Sequence, residues 1–240
     1  MPEQRAPGNP VPAGDVRAMF DGIAPIYDRM NTVMTAGLDA GWRRAAVRAA
    51  QLGPGMRVVD VACGSGALTR ELARAVASGG EVVGIDVSPA MLRQARSREP
   101  ERLAARPDYA HGDAMALPLA DGSVDAATIG FGLRNVGDYR GVLAEMTRVV
   151  RVGGRVVVLE VTTPRGAIGR ALVAVWMGRI VPLLGRLARA GAAYRYLPDS
   201  VVGYPPPEEI ASFMEEVGLV DVEWRPLALG MVTLHVGRRA

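Results

Sequence analysis

The sequence has no lysine; all 28 of its basic residues are arginine. That excludes a Schiff-base lysine and the lysine of a phosphate-binding P-loop. Its one cysteine, Cys63, excludes an intrachain disulfide. With only two histidines, His111 and His235, there is no Cys or His cluster to hold a metal. The expectation is a cytoplasmic, metal-free protein. Long apolar runs are also missing. The longest uncharged stretch, Pro226 to Gly237, is twelve residues, whereas a helix that spans a bilayer needs about 20. The first fourteen residues hold four prolines and two glycines but no apolar run, so they read as a frayed, extended tail and not as a secretory signal.

What is present suits one enzyme-sized core: 240 residues, 49% hydrophobic and 22% charged. The net charge of +3 is too small to argue for nucleic acid, and no nucleic-acid partner is expected. Its distribution is uneven. Thr162 to Pro198 contains six arginines and no acid, which leaves the rest of the chain net acidic.

Past the tail, residues 15–240 read as a single domain. Asp15 to Tyr27 and Trp42 to Leu52 have helical patterns within an N-terminal cap (15–52), and Gly53-Pro54-Gly55 stops the second helix. Short β-branched runs at Arg57–Ala62, Glu81–Asp86, Asp108–His111, Val124–Ile129 and Arg155–Val161 alternate with helical stretches at Ala67–Ala77, Ser88–Arg98 and Tyr139–Val149. That rhythm predicts an α/β fold with a doubly wound, mainly parallel sheet covered on both faces. A helical insertion follows at 162–200, then a helix at Glu208–Val217. Asp221–Arg225 and Met231–Val236 can pair as an antiparallel C-terminal hairpin, making seven strands.

Two landmarks point to a ligand. The turn Asp60-Val61-Ala62-Cys63-Gly64-Ser65-Gly66-Ala67-Leu68-Thr69 joins the first strand to a helix, and Gly64 and Gly66 let the backbone approach a ligand without a Cβ clash. Asp86 ends the next strand, where a carboxylate can accept from both ribose hydroxyls. A dinucleotide fingerprint needs a third glycine, and Thr69 stands there instead. After the third strand, Asp113 can accept from an exocyclic amine, with Ala114, Met115 and Leu117 as an apolar wall. The bland alternatives are a structural glycine turn and an Asp that caps local backbone. Cys63 suits a small packing residue better than a nucleophile.

In this order the three elements resemble the class I S-adenosylmethionine-dependent methyltransferases, whose Rossmann-like sheet is the fold implied here. Flanking motifs are more specific: Tyr27-Asp28-Arg29-Met30-Asn31, Met34-Thr35-Ala36-Gly37, Trp42-Arg43, Phe131-Gly132-Leu133-Arg134-Asn135, Leu159-Glu160-Val161-Thr162-Thr163-Pro164 and Tyr194-Arg195-Tyr196-Leu197-Pro198. Together they resemble the quinone-biosynthesis C-methyltransferases, which methylate demethylmenaquinol and ubiquinol-pathway rings. The sequence departs from the family pattern at Leu38-Asp39, where a His is usual, and at Ala67 and Gly130. The resemblance implies S-adenosylmethionine as cofactor, with contacts at Thr69, Asp86, Asp113 and Ala114. Asp60, Gly64 and Gly66 join them as cofactor-site candidates.

A hydroquinone ring carbon is a weak nucleophile until a ring hydroxyl loses its proton, so the protein must stabilise a phenolate. A guanidinium suits that task. Arg134 is the candidate, with Asn135 to orient the second oxygen; a structural ion pair is the alternative for Arg134. Tyr27, Asp28, Tyr194 and Tyr196 are candidate bases. The expected substrate is a lipid-tailed quinol, most simply demethylmenaquinol. A benzoquinol or a small phenol is the alternative substrate. A nicotinamide-dependent oxidoreductase and a non-catalytic adenosine-binding module are the alternatives of other classes. In 166–190 apolar residues are interleaved with Arg179, Arg186 and Arg189. This segment could dock on an anionic membrane surface, placing the protein peripherally on the inner face of the cell membrane, or form a lid or a homodimer interface.

Overall fold

The computed structural model describes residues 13–100, 103, 105–175, 201 and 203–240. Along the chain these form α1 (Ala13–Ile23), α2 (Tyr27–Met34), α3 (Asp39–Ala49), β1 (Arg57–Val61), α4 (Ala67–Val76), β2 (Glu81–Asp86), α5 (Pro89–Ser97) and β3 (Asp108–His111). Then come β4 (Val124–Gly130), a 3-10 turn (Leu133–Asn135), α6 (Tyr139–Val149), β5 (Val150–Val161), α7 (Ala167–Val175), α8 (Pro207–Glu216), β6 (Leu219–Leu227) and β7 (Val232–Arg239). Most of the tail expectation at 1–14, and most of the basic segment at 166–190 with Arg179, Arg186 and Arg189, lie outside the described residues.

The strands form one seven-stranded sheet in the order β3-β2-β1-β4-β5-β7-β6. The first five are parallel, and β7 runs antiparallel between β5 and β6. Strand alternation sends consecutive side chains to opposite faces. Val58, Val157 and Leu159 therefore meet α3 and α4 through Ala45, Ala46, Leu72 and Val76. Val59, Val156 and Val158 meet α6 and α8 through Leu143, Met146, Ile210 and Met214. This is a doubly wound α/β architecture, with helices on both faces of a largely apolar parallel core.

Boundaries differ from the sequence expectation in several places, among them α3, which spans Asp39–Ala49 where the sequence pattern predicts Trp42–Leu52. The helix expected over Asp15–Tyr27 ends at Ile23, because Pro25 lacks an N–H and disfavours helical backbone at Ala24, and a separate helix, α2, starts at Tyr27. The strand expected from Arg155 begins at Val150, which pairs with Val124 before a register shift near Gly153. The two hairpin strands extend by several residues at their ends, since β7 finds partners on both sides.

Candidate active site

Strand order reverses between β1 and β4, so the loops leaving their carboxyl ends diverge and leave a crevice there. Two residues other than glycine adopt left-handed backbone at these ends, Ala62 (φ 52) after β1 and Phe131 (φ 61) after β4. Such strained positions persist only where the surroundings hold them. Phe131 is held: its N–H donates to the Leu159 carbonyl at 2.7 Å, and its own carbonyl accepts from Arg134 Nη1 at 2.6 Å.

The crevice is a cavity of about 400 Å³. Among the candidates, Asp60, Gly64, Asp86, Asp113, Ala114, Asn135 and Tyr27 line it, together with Phe20 and Met91 from the cap side. Gly66 and Thr69 stand behind this wall. Gly66 has φ 76, and a Cβ there would lie 2.5 Å from the Tyr109 hydroxyl, so no other residue fits without movement. Thr69 Oγ1 donates to Asp60 Oδ2 at 2.6 Å.

Register explains the rest of the Asp60 environment. Asp60 is paired across the sheet with Thr128, on the same face, and Thr128 Oγ1 donates to Asp60 Oδ1 at 2.9 Å. Burial pushes the Asp60 carboxyl up to about 6, against the pull of the two threonine hydroxyls and of Arg43. Asp86, half-buried, accepts from the Gly64 N–H at 2.7 Å and the Ser88 N–H at 2.8 Å, one on each oxygen. Burial raises its pKa while these two bonds lower it. A carboxylate has about four lone-pair sites, so a ribose diol remains within its acceptor capacity. Asp113 holds its own loop by accepting from the Met115 N–H at 2.9 Å. Burial pushes the Cys63 thiol well above its ordinary range, which agrees with a packing role beside Leu92, Ala95 and Tyr109.

A second cavity of about 240 Å³ adjoins the first, and Tyr27, Arg43 and Phe131 line both. Its wall is predominantly apolar, including Met34, Trp42, Val161, Val173 and Val232. Arg134 lines this second cavity. The ion-pair alternative is also present: Arg134 Nη1 lies 2.5 Å from Oε1 of the fully buried Glu160, and the Arg134 backbone N–H donates to Glu160 Oε2 at 3.1 Å. Asn135 Nδ2 donates to the Phe131 carbonyl at 3.3 Å. Of the candidate bases, Tyr27 faces both cavities. Asp28 faces neither; it straps α2 to the core by accepting from Ser65 Oγ and pairing with Arg98. Tyr194 and Tyr196 lie outside the described residues.

Sequence reasoning gave Arg43 no role beyond its place in a motif. It sits on α3, a turn from Asp39, and the two make an ion pair at 2.5 Å. Its only advance signal was the (i, i+4) Asp–Arg spacing, which ordinarily marks a helix surface pair.

The family model described as the ubiE/COQ5 methyltransferase family matches residues 10–239. The chain is 40% identical to a demethylmenaquinone methyltransferase of Desulfitobacterium hafniense, over 95% of this chain and 90% of that protein. It is 43% identical to one of Thermus thermophilus, over 92% of this chain and all of the relative. With a ubiquinone/menaquinone biosynthesis C-methyltransferase of Geotalea uraniireducens it shares 37% identity, over 93% and 96% of the two chains. Among solved structures, a methyltransferase of Thermotoga maritima superposes with a TM-score of 0.64 at 19% identity, covering 94% of this chain and all of that one. On the nearly full-length match of its sequence, the chain belongs to the ubiE/COQ5 methyltransferase family.

Proposed function

We propose that the protein transfers a methyl group from S-adenosylmethionine to a ring carbon of a lipid-tailed quinol, with demethylmenaquinol as the substrate. The observation that carries this reading is the pair of adjoining cavities, one lined by acids at the strand ends and one predominantly apolar, sharing a wall. The first fits the cofactor. Asp86, already fixed by two backbone N–H groups, suits a ribose diol, and the loop around Asp113 and Ala114 suits an adenine. Buried Asp60 suits a cationic amine, because a nearby positive charge offsets the cost of its ionisation. When bound, S-adenosylmethionine supplies an electrophilic methyl on a sulfonium.

The remaining work falls to the chain. The second cavity offers the ring apolar contacts with Met34, Trp42 and Phe131. Confinement of both reactants on either side of one wall supplies orientation. Arg134, with Asn135, fixes the Phe131 carbonyl and so the position of that wall, and its guanidinium lies at the edge of the ring cavity. Tyr27, which faces both cavities, is the described candidate to relay the ring hydroxyl proton, giving up its own proton to water as it accepts the ring's. Similarity to the demethylmenaquinone methyltransferases supports the naphthoquinol ring. The test is mass spectrometry of short-tailed demethylmenaquinol and the matching demethylated benzoquinol, incubated with enzyme and isotope-labelled S-adenosylmethionine. A labelled C-methyl product from the naphthoquinol is expected. No labelled product from it would overturn the assignment.

An isoprenoid-tailed substrate resides in a bilayer, while no described helix is long and apolar enough to cross one. The basic composition of 166–190 supports docking at an anionic surface. Sedimentation with anionic vesicles should occur at low salt and weaken when Arg179, Arg186 and Arg189 become Gln; failure to sediment at low salt would remove this reading.

A further inference from the structure

The methyl group must pass between the two cavities, so the reacting atoms meet near the wall that Tyr27, Arg43 and Phe131 share. Among the described residues, Arg43 is the only basic residue that lines both cavities. Arg134 reaches the second cavity alone, with its guanidinium engaged by Glu160 and the Phe131 carbonyl.

Arg43 is held in place from two directions. Its Nη1 lies 2.5 Å from Asp39 Oδ2, and Asp39 is anchored in turn by the Thr35 hydroxyl, 3.0 Å from Oδ1. Its guanidinium carbon lies 5.8 Å from the centre of the Phe131 ring. The side chains of Arg43 and Asp39 are only 12% and 9% exposed, so a charge at this place is weakly screened by solvent. A guanidinium carries five N–H donors in a fixed fork, and the bond to Asp39 uses one end of it. Asp39 balances the charge before substrate arrives. An incoming oxygen anion then finds a cation already desolvated and oriented, which is what preorganised electrostatic stabilisation requires.

Resting on the proposed quinol reading, we propose that Arg43 is a catalytic residue whose guanidinium binds the ionised ring oxygen of the substrate at the shared wall. Asp39 is the positioning residue that holds it there. This places the oxyanion contact on α3 and leaves the Arg134–Glu160 pair to fix the Phe131 wall.

The probe is 1-naphthol, whose phenolate absorbs at longer wavelength than the neutral phenol. It is bound to the full chain at a fixed, mildly alkaline pH with S-adenosylhomocysteine present, so that no transfer occurs. In the wild type the bound ligand should show the phenolate band. Arg43→Gln should shift the phenol–phenolate balance by about tenfold or more toward the phenol, equal to one pK unit. Arg43→Lys, which keeps charge without the fork, should fall between them. With short-tailed demethylmenaquinol and saturating S-adenosylmethionine, kcat of Arg43→Gln should drop by roughly 100-fold or more, the loss typical of a removed oxyanion donor, a larger change than any in S-adenosylhomocysteine affinity that follows from Arg43 also lining the cofactor cavity near Asp60. Asp39→Asn should lower kcat less, and should retain part of the phenolate band.

Arg43→Gln leaves Asp39 buried without its partner. If that variant does not fold, the double variant Asp39→Asn/Arg43→Gln removes the stranded charge and carries the same expectations. A folded variant that binds S-adenosylhomocysteine and keeps both the wild-type phenolate fraction and the wild-type kcat overturns the assignment of Arg43. A wild-type enzyme that methylates neither quinol overturns the functional reading itself, and this role of Arg43 with it; the two failures are told apart by the wild-type assay alone.

Discussion

Asp60→Asn should make the protein more stable and the enzyme worse. Burial holds the Asp60 carboxyl at about 6 in the folded chain, above its ordinary value of 3.8. Each unit is worth about 1.36 kcal/mol, so the ionised group costs the fold roughly 3 kcal/mol at neutral pH. A raised folded-state value means that the folded chain holds the proton more tightly than the unfolded chain. The associated stability is complete below 3.8 and is lost as pH rises through about 6. A neutral Asn escapes this loss. It can still bond the Thr69 and Thr128 hydroxyls, which either donate or accept. At pH 8 the variant should therefore unfold at a temperature roughly 6–12 °C higher, as about 2–4 °C per kcal/mol is usual at this size. At pH 4 the two proteins should converge. Calorimetric affinity for S-adenosylmethionine should move the other way, weakening by about tenfold or more at pH 8 as a charge-assisted contact becomes a neutral one. Any pH effect of other groups is common to both proteins and cancels in the comparison. Asp60→Asn less stable than wild type at pH 8, or a gap that does not close on acidification, would refute the reasoning.

Three further outcomes follow from the same geometry. Asp86→Ala should weaken S-adenosylmethionine by more than about tenfold in isothermal titration, and should also lower stability by about 1–3 kcal/mol, because the Gly64 and Ser88 N–H groups lose their acceptor. Arg134→Lys keeps a charge opposite Glu160 but cannot also hold the Phe131 carbonyl through one planar fork; turnover should fall while cofactor affinity measured by titration stays near wild type. Burial lowers His235 to about 4 beneath its ordinary 6.5, so the unfolded chain takes up the proton first and this group costs stability as pH falls from 6.5 toward 4. His235→Gln should flatten that part of the stability–pH curve in urea denaturation, and an unchanged slope would count against it.

Much of this protein is legible in short stretches of its chain. The β-branched run before Cys63-Gly64-Ser65-Gly66 and the acid closing β2 place a ligand crevice at the carboxyl edge of the sheet, since local backbone preference and strand alternation act over a few residues. Of the residues singled out there, Asp60, Gly64, Asp86, Asp113 and Ala114 line that crevice, whereas Gly66 and Thr69 stand behind it. What the sequence could not settle depends on residues far apart in the chain. Asp28 reads as a candidate base, yet Ser65 and Arg98, 37 and 70 positions away, draw it into a strap. Arg134 reads either as a phenolate-binding cation or as half of an ion pair, and only the fold supplies the partner, Glu160, 26 positions on. Arg43 enters the sequence reading only as part of the Trp42-Arg43 motif, and only the packing of α3 against Phe131 carries it to the wall between two cavities. The value of about 6 for Asp60 is likewise a property of burial, since desolvation exists only once the sheet and its helices have closed over the carboxylate. Sequence determines which groups are available and on which face of each element they lie. Tertiary structure decides which of them are neutralised, because charge pairing and desolvation act through space between segments that the chain order keeps apart.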